Sequence, residues 1–146
     1  LPDSQKQVVC LKDVLQKYEY VVLYFYPKDD TPGCTTESIE FSSLKKEFEK
    51  LNTLIIGVSA DSCESHEKFS LKHNLGILLL SDENKEVIKA YNAWGKKSFM
   101  GKVFEGIIRK TFLISKKGII NEWPNVNPKG HADQVLNYIK LISKND

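Results

Sequence analysis

Among residues able to do chemistry near neutral pH, the sequence offers three cysteines (Cys10, Cys34, Cys63) and three histidines (His66, His73, His131). Cys34 has the most unusual surroundings. It closes the stretch Tyr24-Phe25-Tyr26-Pro27-Lys28-Asp29-Asp30-Thr31-Pro32-Gly33-Cys34, in which an apolar run meets two prolines, a glycine and two aspartates. A cysteine that only fills space normally sits among other apolar residues. Here Thr31 fits a helix N-cap, Pro32 the first helical position, and Gly33 and Cys34 the first turn. A sulfur in that turn faces unpaired backbone N–H groups and the positive end of the helix dipole, which favour thiolate over thiol. Cys34 is therefore a candidate nucleophile, with the filling of a small gap as the alternative. Three residues on, where a C-x-x-C dithiol exchanger needs its second sulfur, stands Glu37.

The other reactive residues make weaker patterns. Cys63-x-x-His66 has the spacing of half a zinc site, but structural zinc takes four ligands. Only Cys10, His73 and His131 remain to complete it, at unrelated spacings, so no metal is expected. His131 follows Pro128-Lys129-Gly130 and reads as the start of a helix, and Cys10 in VVCLKDVL reads as packing before one. Trp94 and Trp123 read as core or rim packing. Phe99 and Met100 fall in a long irregular run, as part of a substrate mouth, a surface patch or a dimer contact. No glycine-rich phosphate loop is present, and no cofactor is expected.

The elements that must position Cys34 follow from the apolar periodicity. The chain has 146 residues, 41% hydrophobic and 27% charged, the composition of a globular domain rather than a disordered chain. No apolar run approaches the ~20 residues that span a bilayer. A net charge of +2, with lysines interleaved among glutamates, gives no reason to expect nucleic acid. The odd, widely spaced cysteines do not suit a secreted disulfide framework, so a reducing cytoplasmic setting is expected. Helices are predicted over Leu11–Lys17, Cys34–Lys50, Glu64–Asn74, Asp82–Tyr91 and Ala132–Ile142. Strands are predicted over Tyr20–Tyr26, Thr53–Ser59 and Ile77–Leu80. IIRKTFLI and IINEWP, on either side of Ser115-Lys116-Lys117-Gly118, read as a hairpin. Such alternation followed by a hairpin implies an α/β fold, a mixed central sheet with helices on both faces, and the simplest fold of that order is thioredoxin-like. Catalytic groups in such sheets gather beyond the carboxyl ends of the parallel strands, where Cys34 falls.

Pro27-x-x-x-Thr31-x-x-Cys34 resembles the active-site signature of the peroxiredoxins, and YFYPKDDTPGCTTE resembles the bacterioferritin comigratory protein, or Q-type, subfamily. The likeness continues through GVSADS (57–62), LLSDENKEV (79–87), RKTFLI (109–114) and GHADQVL (130–136). It implies one thioredoxin-like domain over 1–146, with a short family stretch missing before Leu1. It also implies a thiol-dependent peroxidase in which Cys34 attacks hydrogen peroxide or an alkyl hydroperoxide and becomes a sulfenic acid. By the same likeness Thr31 hydrogen-bonds the thiolate and peroxide, Pro27 shields the site, and Arg109 supplies a fixed positive charge. Arg109 lies between apolar residues and needs a partner. Glu37 is the available carboxylate, read as orienting Arg109 rather than as an acid catalyst.

Many members of the subfamily carry a resolving cysteine five residues after the first, where this chain has Ile39, expected on the apolar side of its helix. Others carry it in the next helix, near Ser70 here. Cys63 is left as the possible resolving sulfur, on the same rim as Cys34, against a plain reading as a partly buried free thiol. The expected cycle is one-cysteine, with thioredoxin, glutaredoxin or glutathione as external reductant and a monomer or weak homodimer as the working form. The alternatives are a non-catalytic redox sensor acting through a protein partner and a chaperone-like oxidised assembly.

Overall fold

The computed structural model describes residues 1–124 and 126–143, apart from the side chain of Phe99. Its centre is a five-stranded sheet in the order β3-β2-β1-β6-β7. Strands β1 (Tyr20–Phe25), β2 (Thr53–Ser59) and β3 (Leu78–Ser81) run parallel, and the hairpin of β6 (Lys110–Ser115) and β7 (Gly118–Pro124) adds on antiparallel to β1. With helices on both faces, this is the thioredoxin-like arrangement expected from the sequence.

Strand β1 is buried along its whole length because it feeds two cores. Its even residues Val22 and Tyr24 join Phe41, Phe48, Phe69, Leu113 and Ile139 on one face; its odd residues Val21, Leu23 and Phe25 join Ile56, Ile88, Ile107 and Phe112 on the other. The two-residue period of a strand produces that division. The first face is covered by α2 (Pro32–Ser43), α3 (Lys45–Lys50), α4 (Cys63–His73) and α6 (His131–Ser143), the second by α1 (Leu11–Lys17) and α5 (Glu86–Ala90).

Three elements depart from the sequence reading. The helix expected over Cys34–Lys50 breaks at Leu44, whose φ of −97° and ψ of 6° separate α2 from α3. Ser42 and Ser43 precede the break. The Ser43 hydroxyl donates to the Glu40 carbonyl and so competes with the helix, while that of Ser42 accepts from Gly76 N–H. The helix expected from Asp82 shrinks to Glu86–Ala90. The Asp82 carboxylate instead accepts from Ile88 N–H across a turn in which Lys85 is left-handed.

The third departure matters most for the site. The run expected to be irregular is a β-hairpin, β4 (Trp94–Phe99) and β5 (Lys102–Ile107). Its two-residue turn puts Met100 and Gly101 at φ 53° and 79°, the pair of left-handed residues that a type I′ turn needs. Asn-Gly announces such a turn and Met-Gly does not. No helix among the described residues is long and apolar enough to cross a membrane.

Candidate active site

The register of the sheet brings the site together. Phe25, the last residue of β1, pairs with Lys110, the first of β6, so Arg109 arrives just beyond the carboxyl end of β1. At that same end the chain leaves β1, loops through Pro27–Asp30 and enters α2 at Pro32. Thr31 occupies the N-cap with extended backbone angles, and Cys34 lies in the first turn, wholly buried against the α2 face of the core.

Arg109 reaches into this turn. Its Nη2 donates to Cys34 Sγ at 3.1 Å and its Nη1 to Glu37 Oε1 at 3.3 Å, so one planar fork spans sulfur and carboxylate. Cys34 and Glu37, three residues apart, lie on one face of α2. Gly33 makes the approach possible: a Cβ there would lie 2.8 Å from Arg109 Nη2. Glu37 is 1% exposed, and its Oε2 has no hydrogen-bond partner among the described residues. Burial pushes its pKa up from 4.5 to about 7, against the pull of the Arg109 guanidinium. Desolvation outweighs attraction because only one carboxylate oxygen is satisfied.

Thr31 is at the expected position with a different bond. Its hydroxyl donates to the Lys28 carbonyl at 2.9 Å and caps no helical N–H, so the hydrogen expected on the sulfur is engaged in the loop. That bond tightens the turn leading into α2 and leaves the oxygen lone pairs free to accept. Pro27 lies half-buried where the chain leaves β1.

The rest of the loop is fastened to α4 by two aspartates that the sequence reading passed over. Asp29 is buried; its Oδ1 accepts from the Tyr26 hydroxyl at 2.6 Å, and its Oδ2 from Ser65 at 2.7 Å and faces His66 Nδ1 at 2.7 Å. Asp29 N–H donates to Asp61 Oδ2 at 2.8 Å. The far ring nitrogen of His66 meets the Leu80 carbonyl at 2.9 Å and so carries a hydrogen. Both nitrogens of His66 are thus engaged, and the Cys63-x-x-His66 pair has no ring nitrogen to offer a metal. Asp30 pairs with His73 and Lys72 at the other end of α4, and the hydrogen bond from His73, then that from Lys72, holds its carboxyl below the usual carboxylate range. The signal for this double fastening was an Asp-Asp pair after a buried strand and a His inside a helix.

The remaining sulfurs are unbridged thiols. Cys63 is buried and unbridged at the first position of α4, where Ser62 caps the helix by accepting from Ser65 N–H. Cys10 was expected to pack and is instead exposed, at the start of α1. Ile39 was expected on the apolar side of its helix and is 41% exposed. His131 begins α6 as expected and bonds the Thr111 hydroxyl on β6 at 2.7 Å. Met100 is exposed at the tip of the β4–β5 hairpin, and the side chain of Phe99 lies outside the described residues.

A cavity of about 380 Å³ opens onto Arg109 between Lys96, Lys97, Ser98 and Ile108. A larger one, about 640 Å³, lies at the opposite end of β1, and neither cysteine nor histidine lines it. Of these two, the smaller is the one that Arg109 lines.

The sequence profile of the AhpC/TSA family matches residues 1–123. Peroxiredoxin Bcp of Bacillus subtilis is 48% identical over 129 residues, covering 88% of this chain and 82% of the relative. Peroxiredoxin Bcp of Escherichia coli K12 is 38% identical over 141 residues, covering 96% and 89%. Among solved structures, the bacterioferritin comigratory protein of Xanthomonas campestris, which has alkyl peroxide reduction activity, superposes with a TM-score of 0.89 at 39% identity. That match covers 97% of this chain and 89% of the other.

Proposed function

The chain belongs to the AhpC/TSA family and is a peroxiredoxin, a thiol-dependent peroxidase, and from that premise we propose that Cys34 is the sulfur that attacks the peroxide. The observation that carries this reading is the 3.1 Å contact between Arg109 Nη2 and Cys34 Sγ in the first turn of α2. Hydrogen peroxide and alkyl hydroperoxides are the substrates, in keeping with the activity of the Xanthomonas relative.

In the first half of the cycle the Cys34 thiolate attacks the terminal, hydroxyl oxygen of the hydroperoxide. A sulfur–oxygen bond forms, the O–O bond breaks, and the leaving alkoxide takes up a proton to depart as alcohol, or as water when the substrate is hydrogen peroxide. Sulfur is oxidised by two electrons to sulfenic acid. Arg109 faces the charge that moves from sulfur onto oxygen, already oriented by Glu37. Thr31, its own hydrogen held on Lys28, accepts from the hydroperoxide O–H, and Pro27 keeps water from the turn.

In the second half an external thiol condenses with the sulfenic acid, releasing water and leaving a mixed disulfide. A second thiol then reduces that bond and restores Cys34. Thioredoxin, glutaredoxin and glutathione are the candidate reductants, in a one-cysteine cycle that leaves Cys63 out. Peroxide consumption with a thioredoxin recycling system tests this directly. Cys34→Ser abolishes turnover, Cys63→Ser preserves it, and mass spectrometry of the peroxide-treated protein finds a trappable sulfenic acid on Cys34. A single stoichiometric oxidation without turnover would point instead to a redox sensor, and a Cys34–Cys63 bridge would overturn the one-cysteine cycle.

A further inference from the structure

Arg109 is aimed from a segment that belongs to no strand. Strand β5 ends at Ile107 and β6 begins at Lys110, so Ile108 and Arg109 form a link between two separate sheets. Neither ladder fixes the direction of the guanidinium. Three hydrogen bonds hold the link: Ile108 N–H donates to Ala93 O at 2.7 Å, Val126 N–H to Arg109 O at 3.2 Å, and Lys97 Nζ to Ile107 O at 2.8 Å. Two are backbone contacts; the third is a charged side chain.

The hairpin is shaped to deliver that side chain. Gly95 and Gly106 face each other across β4 and β5. A Cβ at Gly106 would lie 3.3 Å from Lys97 Cδ, and one at Gly95 would lie 2.8 Å from Ile108 Cδ1. The glycine pair thus lets the Lys97 stem and the Ile108 side chain lie close against the ribbon, and both line the cavity onto which Arg109 opens. An ordinary surface lysine extends into water. Lys97 is half-buried and ends on a carbonyl two residues from Arg109. Its electrostatic surroundings agree: burial, then the Arg109 charge, holds its pKa below the usual lysine value, and Cys34 acts in the opposite sense.

We propose that Lys97 is a positioning residue for the peroxidase reaction, its ammonium holding the Ile107 carbonyl so that the link presents Arg109 to Cys34. The proposal rests on Cys34 as the attacking sulfur. Arg109 is the group that acts on the reacting atoms, and Lys97 acts through it. Small misplacements of a group at the reacting centre cost up to about a hundredfold in rate, so the predicted effect is large for a residue that touches no substrate.

Two measurements on Lys97→Met and Lys97→Arg test it. One is the rate constant for peroxide consumption with dithiothreitol as reductant. The other is the pH profile of Cys34 alkylation in a Cys10→Ser/Cys63→Ser background, which needs no peroxide and stays readable should Cys34 prove not to be the peroxide-attacking sulfur. Lys97→Met removes the donor while keeping an unbranched stem, and it lowers the peroxide rate at least about tenfold. It also displaces the alkylation profile toward higher pH, because the guanidinium no longer faces the sulfur. Lys97→Arg can still donate to the carbonyl and recovers most of both effects, with unfolding midpoints of both variants matching wild type. An unchanged rate and profile in Lys97→Met overturns the proposal, as does an equal loss in Lys97→Arg. Should Lys97→Met fold poorly, Gly106→Val crowds the Lys97 stem from the facing strand; it reproduces the loss, and wild-type rate and profile in that variant overturn the proposal.

Discussion

Glu37 is a buried acid that keeps its proton to about pH 7 while touching the arginine that faces Cys34. Replacing it by Gln copies the protonated form in shape and retains an oxygen for Arg109 Nη1. The consequence for stability can be worked through with its sign. Below about pH 4.5 Glu37 is protonated whether the chain is folded or not, and contributes no pH dependence. Between 4.5 and 7 the unfolded chain releases the proton and the native protein holds it, so native stability falls as pH rises. Above 7 the penalty is complete, and a rise from 4.5 to about 7 corresponds to about 3 kcal/mol. Glu37→Gln is therefore expected to match wild type at pH 4 and to exceed it by about 3 kcal/mol at pH 8. Urea unfolding at both values measures this, with the fitted slope checked for constancy.

The same substitution has a catalytic signature. Once Glu37 ionises, the Arg109 charge is shared between a carboxylate and the sulfur; with Gln it is directed at the sulfur alone. The peroxide rate of wild type should thus carry an inflection near pH 7 that the variant lacks. Two variants whose stabilities run parallel from pH 4 to 8 would refute the reasoning, since that result means Glu37 ionises alike folded and unfolded.

Two further substitutions probe the parts that hold the fork in place. Gly33→Ala puts a methyl 2.8 Å from Arg109 Nη2, so peroxide turnover falls at least about tenfold, and a wild-type rate in that variant would contradict it. Asp29→Asn leaves a buried amide hydrogen facing donors on Tyr26, Ser65 or His66 and lowers stability by about 3 kcal/mol; a urea midpoint equal to wild type would show that the loop is not fastened there.

What was legible in the sequence followed from short-range rules. Thr31-Pro32-Gly33 announces a helix start because N-cap, fixed φ and first turn are local requirements, and α2 begins where those residues place it. The strands β1 and β2 were legible because continuous β-branched runs have few other uses. The pairing of Arg109 with Glu37 was inferred from a need for charge compensation, and the two residues lie 72 apart in sequence. What stayed hidden depended on tertiary partners. The β4–β5 hairpin hides its alternation because Lys96 and Lys97 follow one another and Gly95 and Gly106 carry no side chain, and β5 is largely exposed, so no apolar face marked it. Asp29 could not be told from a loop aspartate, because its meaning lies in His66 and Ser65, which the fold brings to it. Lys97 was hidden for the same reason.

The fastening of the loop bears on how the catalytic cycle closes. For Cys34 to bond Cys63, the two Cα atoms must come within about 7 Å. Cys63 opens α4, and the loop preceding Cys34 is tied to that helix at both ends, by Asp29 to Ser65 and His66 and by Asp30 to Lys72 and His73. Separating the loop from α4 would break the buried contacts of Asp29 to Ser65 and His66, while the exposed Asp30 pairs add little. Those ties also hold the loop that leads into the turn where Arg109 meets Cys34, so a local unwinding of that turn toward Cys63 would work against them. With Ile39 five residues after Cys34, the proposed one-cysteine cycle takes its reducing equivalents from an external thiol and asks no rearrangement of loop and helix.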